Sequence, residues 1–143
     1  MRGYFITGTD TDAGKTAVTA SLGKHMGSPL TDRLVLIKPV QTGCVEGPDG
    51  LEAPDVAVWK RAGGEGRAIS LFRVPCSPHL AARLEGETLS AASLAAECRK
   101  LVGAEGVTLF EGAGGLHVPL NEEESMLDLM LELRFPVLLV VAN

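Results

Sequence analysis

The chain is poor in aromatic residues, with four Phe, one Tyr and one Trp among 143. Its core must therefore be built from Val, Leu, Ile and Ala, and a 45% hydrophobic content suffices for the core of one domain. Basic residues are also scarce, 13 against 18 acidic, giving a formal net charge of −5. A general nucleic-acid binder presents a basic face, so no nucleic-acid partner is expected. Long apolar runs are missing too. "FPVLLVVA", at 135–142, is eight residues long, where a membrane span needs roughly 18. A single arginine precedes a short apolar run at the start, which does not match a secretory leader. No membrane partner is expected, and the expected setting is cytoplasmic. Cys44, Cys76 and Cys98 are odd in number and widely spaced, so they imply neither a disulfide framework nor a zinc site. Packing as reduced thiols accounts for them.

What is present is an alternation of strands and helices. "YFIT" (4–7), "LVLIK" (34–38), "VTLFE" (107–111) and "VLLVVA" (137–142) are apolar without alternation, as strands covered on both faces are. "AISLF" (68–72) reads as a fifth. Helical patterns fall at 15–26, at 90–101 with Ser90 as N-cap, and from Asp55 onward, where Trp59 is expected to pack on the core. A further one at 125–133 places Met126, Leu129, Met130 and Leu133 on one face. This order predicts a single α/β domain over 1–143, with a mostly parallel sheet and helices on both faces. The stretch 39–54, rich in Gly and Pro, reads as a long functional loop.

"GTDTDAGKT", Gly8 to Thr16, lies between a predicted strand and a predicted helix. In that context the glycines bring backbone N–H groups close to phosphate oxygens, and the helix start adds partial positive charge. Gly8, Thr11, Asp12, Ala13, Gly14, Lys15 and Thr16 are the candidate nucleotide contacts. Lys15 can reach β- and γ-phosphates, and the Thr16 hydroxyl can ligate Mg²⁺. The loop is one residue longer than the usual Walker A spacing, and a plain strand-to-helix turn is the competing reading. Asp10 and Asp12 fit turn formation as well as a ligand role, and a phosphate would require their charge to point away.

Further motifs follow in order: "KPVQTG" from Lys38, Asp55 in "APDVAVW", "SPH" at 77–79, "EGAGG" from Glu111, and Pro119-Leu120. Together with GTDTDAGKT they resemble the dethiobiotin synthetase family over nearly the whole chain. The resemblance implies a P-loop NTPase-like fold and an ATP-dependent, Mg²⁺-dependent ligase of biotin synthesis, working as a homodimer. Its small-molecule substrates would be 7,8-diaminopelargonate, CO₂ and ATP. CO₂ becomes a carbamate on one amine, ATP phosphorylates it, and the second amine closes a cyclic urea with release of phosphate. Carried over position by position, Lys15 and Lys38 are catalytic, Lys38 standing at a strand end on the carbamate side. Thr11, Lys38, Thr42, Gly112, Ala113, Gly114 and Gly115 lie along the substrate, and Thr16, Asp55 and Glu111 hold Mg²⁺. From the residues alone, Asp55 fits a helix cap equally well, and "GAGG" fits a flexible turn. Glu111 has fewer structural excuses, since an ionised carboxylate closing an apolar run needs a partner.

His79 is weighed between a loop histidine and a site residue, and His117 is assigned to surface or packing. The family is normally longer, so its adenine pocket and a loop for the substrate carboxylate are expected beyond residue 143, the chain being short at its carboxyl end. The competing functions are another P-loop ATPase or amidoligase, or a non-catalytic nucleotide-binding fragment. A ParA/MinD-like switch usually carries an extra lysine early in its loop, and Gly8 to Gly14 has none.

Overall fold

A computed structural model describes residues 2–26, 34–103 and 106–142. Its main sheet contains β1 (Arg2–Gly8), β2 (Leu34–Gln41), β5 (Glu65–Leu71), β6 (Val107–Gly115) and β7 (Val137–Val140). The spatial order is β5-β2-β6-β1-β7, and every neighbouring pair is parallel. Around it lie α1 (Lys15–Met26), α2 (Pro54–Arg61), α3 (Pro78–Leu84), α4 (Ala91–Lys100) and α5 (Met126–Leu133).

Successive strand residues point to opposite faces, so an unbroken apolar run feeds two cores at once. Phe5, Ile37 and Phe110 join Ala81 of α3, Leu94 of α4 and Leu129 of α5. Ile6, Leu36 and Leu109 join Val56 and Trp59 of α2, with Ala20 and Leu22 of α1 packed against them. The expected α/β sheet with helices on both faces is thus the observed one, except at β7, expected to be covered on both faces, where Val137, Leu138 and Leu139 are exposed. Trp59 is fully buried, as expected. Ser90 caps α4 by accepting from the Ser93 N–H, and all four apolar residues expected on one face of α5 are buried. Ser125 and Asp128 close a capping box at the start of α5.

The expectations fail mainly at boundaries. The supposed irregular stretch 39–54 holds the end of β2 and an antiparallel hairpin, β3 (Val45–Gly47) with β4 (Gly50–Glu52). Its two-residue turn is Pro48-Asp49, and Gly50, the first residue of β4, leaves the turn at φ +113°, a conformation that glycine adopts without strain. The strand expected at 34–38 continues through Pro39 to Gln41. Pairing with β6 ends at Ile37↔Phe110, so at Pro39 the strand pairs only with β5. A missing N–H is tolerated at such a position. Lys38 consequently sits inside β2 and not at its end. Helix α3, unforeseen, starts at Pro78 directly after N-cap Ser77, where proline's missing N–H costs nothing.

The two faces of α5 supply a direct check. Leu129 is fully buried and Leu131 is 63% exposed. Leu129→Ala should cost about 2–5 kcal/mol, and Leu131→Ala less than about 0.5 kcal/mol, in urea unfolding at neutral pH.

Candidate functional site

The loop from Gly8 to Lys15 connects β1 to α1. It tightens through Ala13 N–H donating to the Asp10 carbonyl at 3.3 Å and Thr11 N–H donating to Asp10 Oδ1 at 2.7 Å. The Asp10 carboxylate thereby acts as a turn former. Gly8 is closely packed: a Cβ there would lie 3.0 Å from Ala13 Cβ and 3.1 Å from Lys15 Cγ. Gly14, at φ +97°, turns the chain into the helix. Thr11, Asp12 and Gly14 are exposed, and Ala13 is buried.

Lys15 is buried, and its Nζ donates to the carbonyls of Asp10 at 2.7 Å and Thr11 at 3.1 Å. The ammonium lies curled under the crest of its own loop. Burial, and then the nearby Lys38 ammonium, lower its pKa below the ordinary lysine value, while Glu111, Asp55 and Asp10 partly oppose the shift.

Beside this loop the second cation is held by carboxylates. Leu36 and Lys38 are two residues apart on β2, as are Leu109 and Glu111 on β6, so both charged residues continue the face packed by α1 and α2. The Lys38 Nζ lies 2.5 Å from Asp55 Oδ2 and 2.9 Å from Glu111 Oε1, and donates to the Gly112 carbonyl at 3.2 Å. Thr16, second residue of α1, donates its hydroxyl to the same Glu111 Oε1 at 2.8 Å. Glu111 is fully buried, and its Oε2 has no hydrogen-bond partner. Asp55 is not the cap of α2; Ala53 occupies that position, and Asp55 stands in the first turn. Its carboxylate is therefore free to reach Lys38.

Asp55 and Glu111 thus meet at one ammonium, and Thr16 joins them through Glu111, although the three come from separate segments. Their donors are hard oxygens, and the unpartnered Glu111 Oε2 is a lone-pair donor aimed at no protein proton. Among the described residues no group of three or more His, Cys, Asp or Glu forms a metal cage. Magnesium does not need one, since it keeps waters and takes phosphate oxygens beside one or two carboxylates. The residues present fit that ion.

The other candidates are spread around these two cations. Thr42 follows the end of β2 and is half-buried. Gly112 to Gly115 is not a flexible turn: it is the last part of β6, with Gly115 paired to Gly8 across a register shift. Glycine is needed there for close approach. A Cβ on Gly115 would lie 3.2 Å from the Thr9 carbonyl, and one on Gly114, at φ +64°, would meet Val118 Cγ2. His79 is not at the phosphate loop. Its Nδ1 pairs with Ser77 Oγ at 3.0 Å, and it lines a separate 170 Å³ pocket with Arg83, Leu89, Leu120 and Asn121. His117 is exposed. Cys44 and Cys98 are buried, in keeping with packing, and burial pushes the Cys98 thiol up to about 12. Sequence reasoning missed the backbone acceptors, the carbonyls of Asp10, Thr11 and Gly112. No residue type signals them.

Comparison with known proteins converges on one group. The family described as AAA domain matches residues 2–143. The ATP-dependent dethiobiotin synthetase BioD of Legionella pneumophila (strain Lens) is 39% identical over 145 residues, which are 99% of this chain and 66% of that protein. The protein of the same name from Caulobacter vibrioides (strain NA1000 / CB15N) is 40% identical over 152 residues, covering 100% of this chain and 67% of the relative. The chain belongs to the dethiobiotin synthetase family. A third dethiobiotin synthetase, from Anoxybacillus flavithermus (strain DSM 21510 / WK1), is 38% identical over 144 residues, or 64% of its own length. The chain thus spans about two thirds of the length of these relatives.

The buried charges make a stability prediction. Removing Lys38 leaves Glu111 and Asp55 facing each other without compensation, and breaking a buried pair in this way costs about 3–5 kcal/mol. Lys38→Met should show that loss in urea unfolding, and Lys38→Met/Glu111→Gln should recover a large part of it. Two additive losses would mean that the residues do not interact.

Proposed function

We propose that this site uses ATP and Mg²⁺ to join CO₂ to 7,8-diaminopelargonate and close the cyclic urea of dethiobiotin. The observation that carries the reading is the pairing of two buried cations, Lys15 and Lys38, beside a glycine-lined loop at a helix start. The intermediate, a carbamate phosphorylated on oxygen, is dense in negative charge. Its formation requires positioned cations and N–H donors and no covalent nucleophile.

Loop N–H groups between Gly8 and Lys15, with Thr11, Asp12, Ala13 and Gly14 setting its shape, receive the phosphates. Lys15 exchanges the neutral carbonyls of Asp10 and Thr11 for γ-phosphate oxygens, a stronger charge-assisted contact. Lys38 turns to the carbamate oxygens, holding them for attack on the γ-phosphorus. Thr42 and the Gly112–Gly115 backbone flank the diamine, so that its second amine can attack the activated carbonyl carbon and expel phosphate. Magnesium, held by Thr16, Asp55 and Glu111, would supply charge neutralisation on the phosphate oxygens. No described helix is long and apolar enough to cross a membrane. The homodimer and the cytoplasmic setting implied by the family belong to the same proposal.

The test is product analysis with ATP, bicarbonate and 7,8-diaminopelargonate, on the chain as it stands and fused to the remaining third of a relative. Dethiobiotin with equimolar ADP and phosphate is expected in at least the second case. Nucleotide hydrolysis without a ureido product in both cases would assign the site to another P-loop reaction. Lys15→Ala should lower turnover by on the order of 10²-fold or more, with the fold intact by circular dichroism.

Lys15 also supplies a pH prediction. A triphosphate raises the lowered pKa of its ammonium, so nucleotide binding takes up protons at pH values between the free and bound pKa. Affinity for Mg·ATP should therefore fall as the pH rises through that alkaline window. Calorimetry in buffers of different ionisation enthalpy reads the proton count directly, and Lys15→Ala should abolish the uptake.

A further inference from the structure

The Lys38 ammonium forms an ion pair with Asp55 Oδ2 and donates to Glu111 Oε1 and the Gly112 carbonyl. Three oxygens thus surround an ammonium that carries three protons. Its side chain is only 4% exposed, so no solvent-side arrangement competes with this one. Two of its partners are the carboxylates that the proposed function gives to magnesium, and the competition between the two cations rests on that assignment.

A divalent ion on Asp55 and Glu111 would use the oxygens that Lys38 now holds. Its charge would also stand within a few Å of Nζ, where like charges in a poorly solvated site repel strongly. We propose that Lys38 is a built-in competitor of the divalent ion for Asp55 and Glu111, so that metal loading releases its ammonium towards an anionic substrate. Together the Lys15 and Lys38 ammonium groups balance the charges of Asp55 and Glu111 before any ligand arrives, which lessens the cost of burying the Glu111 carboxylate. The exchange couples two ligands. An ion that displaces Lys38 raises the affinity for a carbamate, and by linkage a carbamate that captures Lys38 raises the affinity for the ion. Lys15 behaves differently, since its hydrogen-bond acceptors are neutral carbonyls. It is the internal control.

The experiment is Mg²⁺ and Mn²⁺ titration of the full chain by calorimetry, without nucleotide, for the parent, Lys38→Gln, Lys38→Arg and Asp55→Asn. Lys38→Gln removes the competing charge and should tighten ion binding by about tenfold or more, while Lys38→Arg keeps the charge and should stay within about threefold of the parent. Asp55→Asn removes a ligand and should weaken binding. If Asp55→Asn binds as the parent does, the ligand assignment falls and the competition with it. If Asp55→Asn weakens binding and Lys38→Gln does not tighten it, the competition alone is overturned. A measurement on the unaltered chain covers the case in which Lys38→Gln does not fold. In ¹⁵N spectra of the lysine ammonium groups, saturating Mg²⁺ should shift the Lys38 signal and speed its proton exchange, with a smaller change at Lys15. An unmoved Lys38 signal at saturation would overturn the proposal.

Discussion

A single ammonium ties the chemistry to the architecture. Lys38 draws together β2, β6 and the first turn of α2 by bonding Asp55, Glu111 and the Gly112 carbonyl. Through Glu111 it also reaches Thr16, and so the start of α1. Four segments far apart in sequence meet at one buried charge. Burying so many charges would be ruinous if any were left alone, because an unpaired ion in the interior costs more than burying any one apolar side chain contributes. The cluster is stable only as a set.

The sheet makes the set possible. Parallel strands end together, and the residues following the apolar runs of β2 and β6 emerge on one face at one level. Leu36 and Leu109 pack under α1 and α2, and the next residues on that face are Lys38 and Glu111. The loop after β1 arrives at the same edge, where Gly115 pairs with Gly8. Ligands of open α/β sheets bind at this end. Glycine at 8, 114 and 115 permits the close approach of two strands and a loop, since a Cβ at Gly114 would collide with Val118 and one at Gly8 or Gly115 would crowd its neighbours.

Most of this was legible in the sequence, for identifiable reasons. Apolar runs without alternation marked the parallel strands, and the strand–glycine loop–helix order marked the phosphate loop. The face of α5 followed from the spacing of Met126, Leu129, Met130 and Leu133. Boundaries were less legible where a residue's usual meaning depends on its neighbours. The second strand was expected to end at Lys38 because a Gly- and Pro-rich stretch follows, but β6 has already parted from β2 there and Pro39 is tolerated. The four residues "GAGG" could also be read as a flexible turn because glycine is common in turns, but they form the end of β6. The hairpin of Val45–Gly47 with Gly50–Glu52 hid among Gly and Pro because its strands are too short to show alternation. Asp55 could be read as a helix cap because its reach to Lys38, a bond between distant segments, leaves no local trace.

The most direct measurement is a crystal structure of the chain with Mg²⁺ and a non-hydrolysable ATP analogue. The account predicts the triphosphate on the Gly8–Lys15 N–H groups, Lys15 Nζ transferred from the Asp10 and Thr11 carbonyls to phosphate oxygens, and the ion within reach of Thr16, Asp55 and Glu111. A triphosphate seated elsewhere, or Lys15 still curled on its own loop beside a bound one, would contradict it.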